Sequence, residues 1–297
     1  MIHLNKYIHL TVLSGTIFLT SCTKVEINQP NEKAQAIQFT STINTRATAT
    51  AFEINDAIGI YMLNSGSMLS AENVVEKVSN RHYVTYDRNT FNPFREQETI
   101  YLPKEDIKVD FICYYPYSEQ VNADYTIPVN IIDQSKPAAI DLLYSNNSKE
   151  VDHTNPTAQL NFKHKLVRLQ FKLIAGKGLT EESLKGASVI LKGMSAQATF
   201  SLATGILTPK SSEADILALT AENGKSSEAL IFPATGKGKQ FIFQINKEYF
   251  YYNLDDSDSL IEGEQYSYNV TLHHTVDNAT GKVENWTEVA WNIEVEP

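Results

Sequence analysis

Ala36 to Phe52 reads AIQFTSTINTRATATAF. Ile37, Phe39 and Ile43 fall on one parity, while Gln38, Thr40, Thr42 and Asn44 fall on the other. Side chains alternate across a strand, so this pattern predicts an extended segment with one buried face. It runs straight into Thr45-Arg46-Ala47 and a series of small residues. A strand able to fill a sheet is thus joined to the rest of the chain by a link that an arginine-specific protease could reach, with Arg46 and Ala47 flanking the cut. The far end, EVAWNIEVEP, has the same design. There Val289, Trp291, Ile293 and Val295 face one way and Asn292, Glu294 and Glu296 the other. The body between is expected to be served or completed by these two terminal strands.

The whole chain is 297 residues long, beyond the usual size of a single core, so about two domains are expected. Its apolar share of 42% suits a folded soluble protein. A net charge of -10, with no block of Lys or Arg, argues against nucleic acid or an anionic membrane surface as partner. Strand-like runs recur about every ten residues, punctuated by Gly, Asn or Asp. They include Ile58 to Leu63, Ile107 to Tyr115, Tyr125 to Ile132, Phe241 to Ile245 and Tyr249 to Leu254. Pro128 hints at an edge position for its run. Ala71 to Val78 reads as a turn or two of helix, and Glu98 to Leu102 as strand. One short helix is expected at Thr180 to Leu184, with Thr180 as N-cap and two glutamates in the first turn.

Leu160 to Leu173 marks a boundary. Leu160, Phe162, His164 and Leu166 share one parity, and then Val167, Leu169, Phe171 and Leu173 take the opposite one. Phase slips by one residue only at a bulge or a change of sheet. The fold class is therefore all-β, with two sandwiches in series over 47–165 and 166–297.

Residues 1–21 read as an export signal, with an apolar stretch from Ile8 to Thr20 too short to span a bilayer. The signal ends at Leu19-Thr20-Ser21-Cys22, which resembles a bacterial lipobox; a lipid on Cys22 is favoured over a plain secretory signal. Residues 22–46 form a tether plus the first strand. The chain has two cysteines, so acylation of Cys22 leaves Cys113 without a disulfide partner, and its apolar surroundings predict a buried structural thiol.

Catalytic patterns are weak throughout. Gly224-Lys225-Ser226 lacks the leading glycine of a phosphate loop, and Gly193 to Gln197 lacks the second glycine of a nucleophile elbow. Asp255, Asp256 and Asp258 lack the spacing of a calcium loop and read as a solvated turn. His164 is read as a core histidine, and the adjacent His273 and His274 would point to opposite strand faces. The 15 tyrosines are taken as strand and core residues ahead of a glycan platform. No enzyme activity, metal or cofactor is expected.

Taken in order, several segments resemble the fimbrillin-like proteins, which are pilus subunits and tip components. These are the lipobox at Cys22, the junction Thr45 to Thr48, Asn55 to Met62, Cys113 to Tyr117, Asp141 to Tyr144, Leu160 to Leu166, and Gly263 to Val270 with Trp286 downstream. Phe52 and Cys113 depart from the tryptophan and alanine common there, and both stay apolar. The resemblance implies transthyretin-like sandwiches exported as a lipoprotein precursor and held at the outer membrane by the lipid on Cys22. It further implies a cut by an arginine-specific protease at Arg46-Ala47, loss of the strand carrying Ile37, Phe39 and Ile43, and its replacement by a strand from another fimbrillin subunit. Only eleven residues follow Trp286, short for a donor arm, so a tip or accessory role is expected ahead of a stalk role. A lipid-retaining anchor and a glycan-binding surface lipoprotein are the alternatives. No receptor is indicated.

Overall fold

The computed structural model describes residues 35–44, 51–103, 107–274 and 290–295, the last stretch by its backbone course. Cys22, Arg46, Ala47 and Val289 lie outside the described residues.

The first half contributes β1 (Gln38–Asn44), β2 (Ala57–Asn64), β3 (Arg81–Thr85), β4 (Thr90–Pro93), β5 (Val109–Tyr115), β6 (Thr126–Asn130), β7 (Leu143–Ser145) and β8 (Thr157–His164). All but β6 join one closed barrel in the order β1-β4-β3-β2-β5-β7-β8. A closed barrel differs from the open sandwich expected for this half. Closure comes from β1, which runs antiparallel to β4 on one side and parallel to β8 on the other. A local pattern cannot reveal that second pairing, because β8 lies more than a hundred residues away in the chain.

The second half contributes β9 (Val167–Ala175), β10 (Ser188–Ser195), β11 (Gln197–Ser201), β12 (Ile206–Pro209), β13 (Glu213–Leu217), β14 (Leu219–Thr220) and β15 (Ser226–Ile231). It continues with β16 (Ala234–Thr235), β17 (Gln240–Ile245), β18 (Glu248–Asn253), β19 (Ser259–Leu260), β20 (Gln265–Leu272) and β21 (Ala290–Val295). A four-stranded sheet, β13-β10-β17-β18, packs on a five-stranded one, β14-β15-β9-β20-β21. Between them Phe171 meets Phe241 edge-on at 5.1 Å and stacks on Tyr268 at 5.3 Å. Strand β6 leaves the first half to form the edge of a small sheet, β12-β11-β6, where Pro128 costs no more than an edge donor. The molecule is all-β.

Two strands tie the halves together. Ile58, Ile60 and Met62 of β2 fill the barrel, while Tyr61 and Leu63 enter the larger core shared with the second half. Likewise Val109, Phe111, Cys113 and Tyr115 of β5 point into the barrel, and Ile112 and Tyr114 point out of it. Burial on both faces explains why these two strands read as unbroken apolar runs instead of alternating ones. The described residues all belong to one compact unit.

The phase slip falls at Lys165 and Leu166, between β8 in the barrel and β9 in the five-stranded sheet. Ala158, Leu160 and Phe162 face the barrel interior, and Val167, Leu169, Phe171 and Leu173 face the sandwich core. The buried Lys165 ammonium at this crossing is paired with Glu262. Thr180 caps a single 3-10 turn, Glu181–Leu184, through its side chain. Ala71 to Val78 is irregular rather than helical; Val74 bridges to Leu63 of β2, and the Met62 amide donates to the Val78 carbonyl at 3.1 Å. Glu98 to Leu102 likewise forms no strand, with one bridge from Tyr101 to Ala36.

Candidate assembly groove around the first strand

Strand β1 is held along both edges by main-chain hydrogen bonds. On the β8 side the parallel register runs from Gln38 opposite Thr157 to Asn44 opposite Lys163. The Gln38 amide donates to the Pro156 carbonyl at 3.1 Å. On the other side the Ile37 amide donates to Ile100 at 3.0 Å and the Ser41 amide to Asn89 at 2.9 Å, and Phe39 lies opposite Phe91. At the start of the strand His153 lies 3.1 Å from the Gln35 side-chain oxygen and 2.7 Å from the Pro103 carbonyl oxygen.

The inward face is Ile37, Phe39, Ser41 and Ile43. Phe39 is fully buried, meeting Tyr83 and Phe111 edge-to-face, each at 5.1 Å. Ile37 is buried and Ile43 partly so. Ser41 shares this parity, and its hydroxyl donates to the Asn89 carbonyl at 3.0 Å. Apolar counting passed over Ser41, although its position between Phe39 and Ile43 signals an inward side chain. The His153 contacts left no sequence signal, since Gln35 and Pro103 are far from it in the chain.

After β1 the chain re-enters the barrel at Phe52, which is buried against Phe91, Tyr115 and Phe162 at 5.0, 5.5 and 5.2 Å. A cavity of about 350 Å³ lies beside Ile43 and Phe52, lined also by Tyr115, His164, Arg168 and Glu228. His164 Nδ1 is 2.9 Å from Asp141, and Arg168 Nε donates to Glu228 at 3.2 Å. The Tyr115 hydroxyl lies 3.1 Å from Asp56, whose carboxyl is pushed above its usual range by burial.

At the other terminus β21 lies parallel to β20, with Trp291, Ile293 and Val295 opposite Tyr268, Val270 and Leu272. It occupies the edge of the five-stranded sheet. Cys113 is a fully buried free thiol in the barrel, its pKa raised by that burial. His273 and His274 lie just past β20: His273 Nδ1 accepts from the Lys177 amide, and His274 pairs with Glu248 at 3.1 Å. Asp255 and Asp258 close a turn on each other's backbone, and no group of side chains among the described residues has the makings of a metal site. No helix among the described residues is long and apolar enough to cross a membrane.

This geometry is that of a slot filled by a strand from its own chain. Chemically it offers main-chain donors and acceptors on both sides and an apolar floor.

The chain is 29% identical over 295 residues to a Bacteroides uniformis protein described as fimbrium subunit Fim1C, covering 94% of each. A crystal structure of a B. uniformis protein described as a cell adhesion protein superposes with a TM-score of 0.69 at 26% identity, covering 82% of this chain and 94% of that one. A Bacteroides ovatus structure at 21% identity, covering 80% of this chain and 92% of that one, shares the fold with a TM-score of 0.62. The model of the fimbrillin-like family matches residues 45–286, and the chain belongs to that family.

Proposed function

We propose that the protein is a structural and adhesive subunit of a fimbrium, assembled with other fimbrillins by exchange of β1. The observation that carries this reading is the double-edged pairing of β1, which alone closes the barrel while lying ahead of Arg46 in the chain. Once the chain is cut after Arg46, β1 is held only by non-covalent contacts. Its departure bares the edges of β4 and β8 and an apolar slot beneath Phe39. Bare strand edges recruit other strands, and an incoming strand of alternating pattern restores the ladder. Full burial of an aliphatic or aromatic side chain contributes about 1.5–3 kcal/mol, so Ile37 and Phe39 together offer roughly 3–6 kcal/mol, with a smaller share from the partly buried Ile43, before the entropy of ordering the strand.

In this reading the precursor carries its lipid on Cys22 at the outer membrane, and Arg46-Ala47 is the processing site. The pairing of β21 with β20 favours a tip or accessory position, because the C-terminal strand already completes its own sheet.

Limited digestion with an arginine-specific protease, followed by N-terminal sequencing and sizing, tests the proposal. The expected result is a new N-terminus at Ala47 together with a shift to higher oligomers. A mature surface form that starts at acylated Cys22 would instead identify a subunit that keeps its anchor.

A further inference from the structure

The slot that β1 fills does not stop where β1 stops. Along the parallel ladder Ile43 lies opposite Phe162 and Asn44 opposite Lys163, so a strand one residue longer sets its next residue opposite His164. Side chains alternate along a strand, and that residue shares the inward parity of Phe39, Ser41 and Ile43. Both Ile43 and His164 line the cavity of about 350 Å³ at this end of the barrel. Slot and cavity are therefore continuous.

The cavity has walls of two kinds. Phe52, Leu143, Leu166 and Leu230 give it apolar sides, and all four are buried. Its charged lining is acidic in balance, with Glu53, Asp56, Asp141, Glu228 and Glu264 set against Arg168 and His164. Several of these groups pair with one another or with the surface. Arg168 Nε donates to Glu228 at 3.2 Å, Arg88 pairs with Glu53 at 2.9 Å, and His164 Nδ1 lies 2.9 Å from Asp141.

Two groups are left that call for a donor. Asp56 accepts from the Glu53 amide at 2.7 Å and lies 3.1 Å from the Tyr115 hydroxyl, neither of which carries positive charge. In the neutral His164 ring the Nδ1 proton goes to Asp141, which leaves Nε2 as an acceptor, and that atom is buried with no hydrogen-bond partner. A buried acceptor without a donor is costly, so it selects an occupant that supplies one. The acidic balance turns away a carboxylate, and a purely apolar side chain would leave both acceptors unpaired. Lysine or arginine fits both kinds of wall. Its methylene stem packs along Phe52, Leu143 and Leu166, while its charged head donates to Asp56 and His164.

We infer that this cavity is a specificity pocket for the incoming strand, and that it takes a basic side chain two residues beyond the one in the place of Ile43. The inference rests on the exchange of β1 proposed above and adds a requirement on the partner. Its strand carries apolar residues in the places of Ile37, Phe39 and Ile43, followed by lysine or arginine in the place just after Asn44.

Peptide binding to the full chain, cut by an arginine-specific enzyme, tests this. Fluorescence anisotropy compares the amidated peptide Ala36 to Asn44 with the same peptide extended by lysine, norleucine or glutamate. Lysine is used because the enzyme does not cut after it, and the terminal amide keeps a carboxylate out of the cavity. The lysine peptide should bind about tenfold tighter than the norleucine one, the worth of a hydrogen bond to a charged group. The glutamate peptide should bind more weakly than the unextended one. Asp56→Asn should remove most of the preference for lysine over norleucine. If the unextended peptide binds but lysine gives no advantage over norleucine, the pocket is overturned and strand exchange stands. A lysine preference that Asp56→Asn leaves untouched would overturn the pocket as well, by placing the basic group elsewhere. Failure of all four peptides to bind would overturn strand exchange itself, and the pocket with it.

Discussion

Phe39 and Phe111 meet edge-to-face at 5.1 Å in the centre of the barrel, yet they lie on opposite sides of Arg46 in the chain. A single cut there would turn an internal ring contact into one between two polypeptides. Phe39→Ala in the uncut chain should therefore destabilise the barrel by about 3–5 kcal/mol, the usual cost of emptying a buried phenylalanine site. Urea denaturation, read as a shift in midpoint at constant slope, measures it. A loss under ~1 kcal/mol would show that the barrel does not depend on β1.

A synthetic peptide spanning Ala36 to Asn44 should compete for the vacated slot. Added to protein freshly cut by an arginine-specific enzyme, it should suppress oligomers seen by size-exclusion chromatography. The same peptide with Asp at the Phe39 position should not, because an ionised carboxylate cannot enter a dry aromatic pocket. Equal suppression by both peptides would rule out recognition through the inward face.

Cys113 provides a reporter of the same event. Its thiol is fully enclosed by the barrel and held protonated by burial, so it should resist a thiol reagent in the intact chain. In a Cys22→Ser background, cleavage and loss of β1 should raise the labelling rate at least tenfold, and refilling the slot should restore protection. A rate unchanged by cleavage would place the opening elsewhere.

Asp110 makes stability sensitive to acid. Burial raises its pKa, but hydrogen bonds from the Glu150 and Gly66 amides and the Ser65 hydroxyl, with Lys149 beside it, outweigh that effect and leave the carboxyl below its usual value. A folded pKa below the unfolded one gives stability that is full above about pH 3.9 and is lost as pH falls through the folded value. Wild type should thus lose more stability than Asp110→Asn between pH 6 and pH 3 in parallel urea titrations. Equal losses would remove Asp110 as the cause.

Gly224 is a position no other residue can occupy without backbone movement. Its φ is +69°, and a Cβ built there would lie 1.5 Å from the Leu184 carbonyl oxygen. Gly224→Ala should lower the melting temperature by several degrees, a loss above ~1 kcal/mol. An unchanged melting temperature would mean that the turn before β15 can move freely.

Much of this was legible in the residues. Period-two alternation located β1 and its inward Ile37 and Phe39, and the phase slip around Lys165 located the passage from barrel to sandwich. Thr180 with two following glutamates located the capped turn at Glu181–Leu184. What the sequence hid is long-range. Nothing local in Gln38 to Asn44 reveals that it lies parallel to β8, because pairing partners are chosen by tertiary packing. The unbroken apolar run Val109 to Tyr115 gives no hint of two different cores. Ala71 to Val78 has enough apolar residues to suggest a helix, but Glu76 and Lys77 take positive φ and break it into turns.

The direction of β1 beside β8 has a last consequence for the proposed polymer. Retaining the parallel ladder along β8 requires a replacement strand of the same sense as β1, since a reversed strand would have to form the antiparallel pattern instead. Each newcomer must then point as its predecessor did. A fibre joined through this step would be vectorial, with unlike ends.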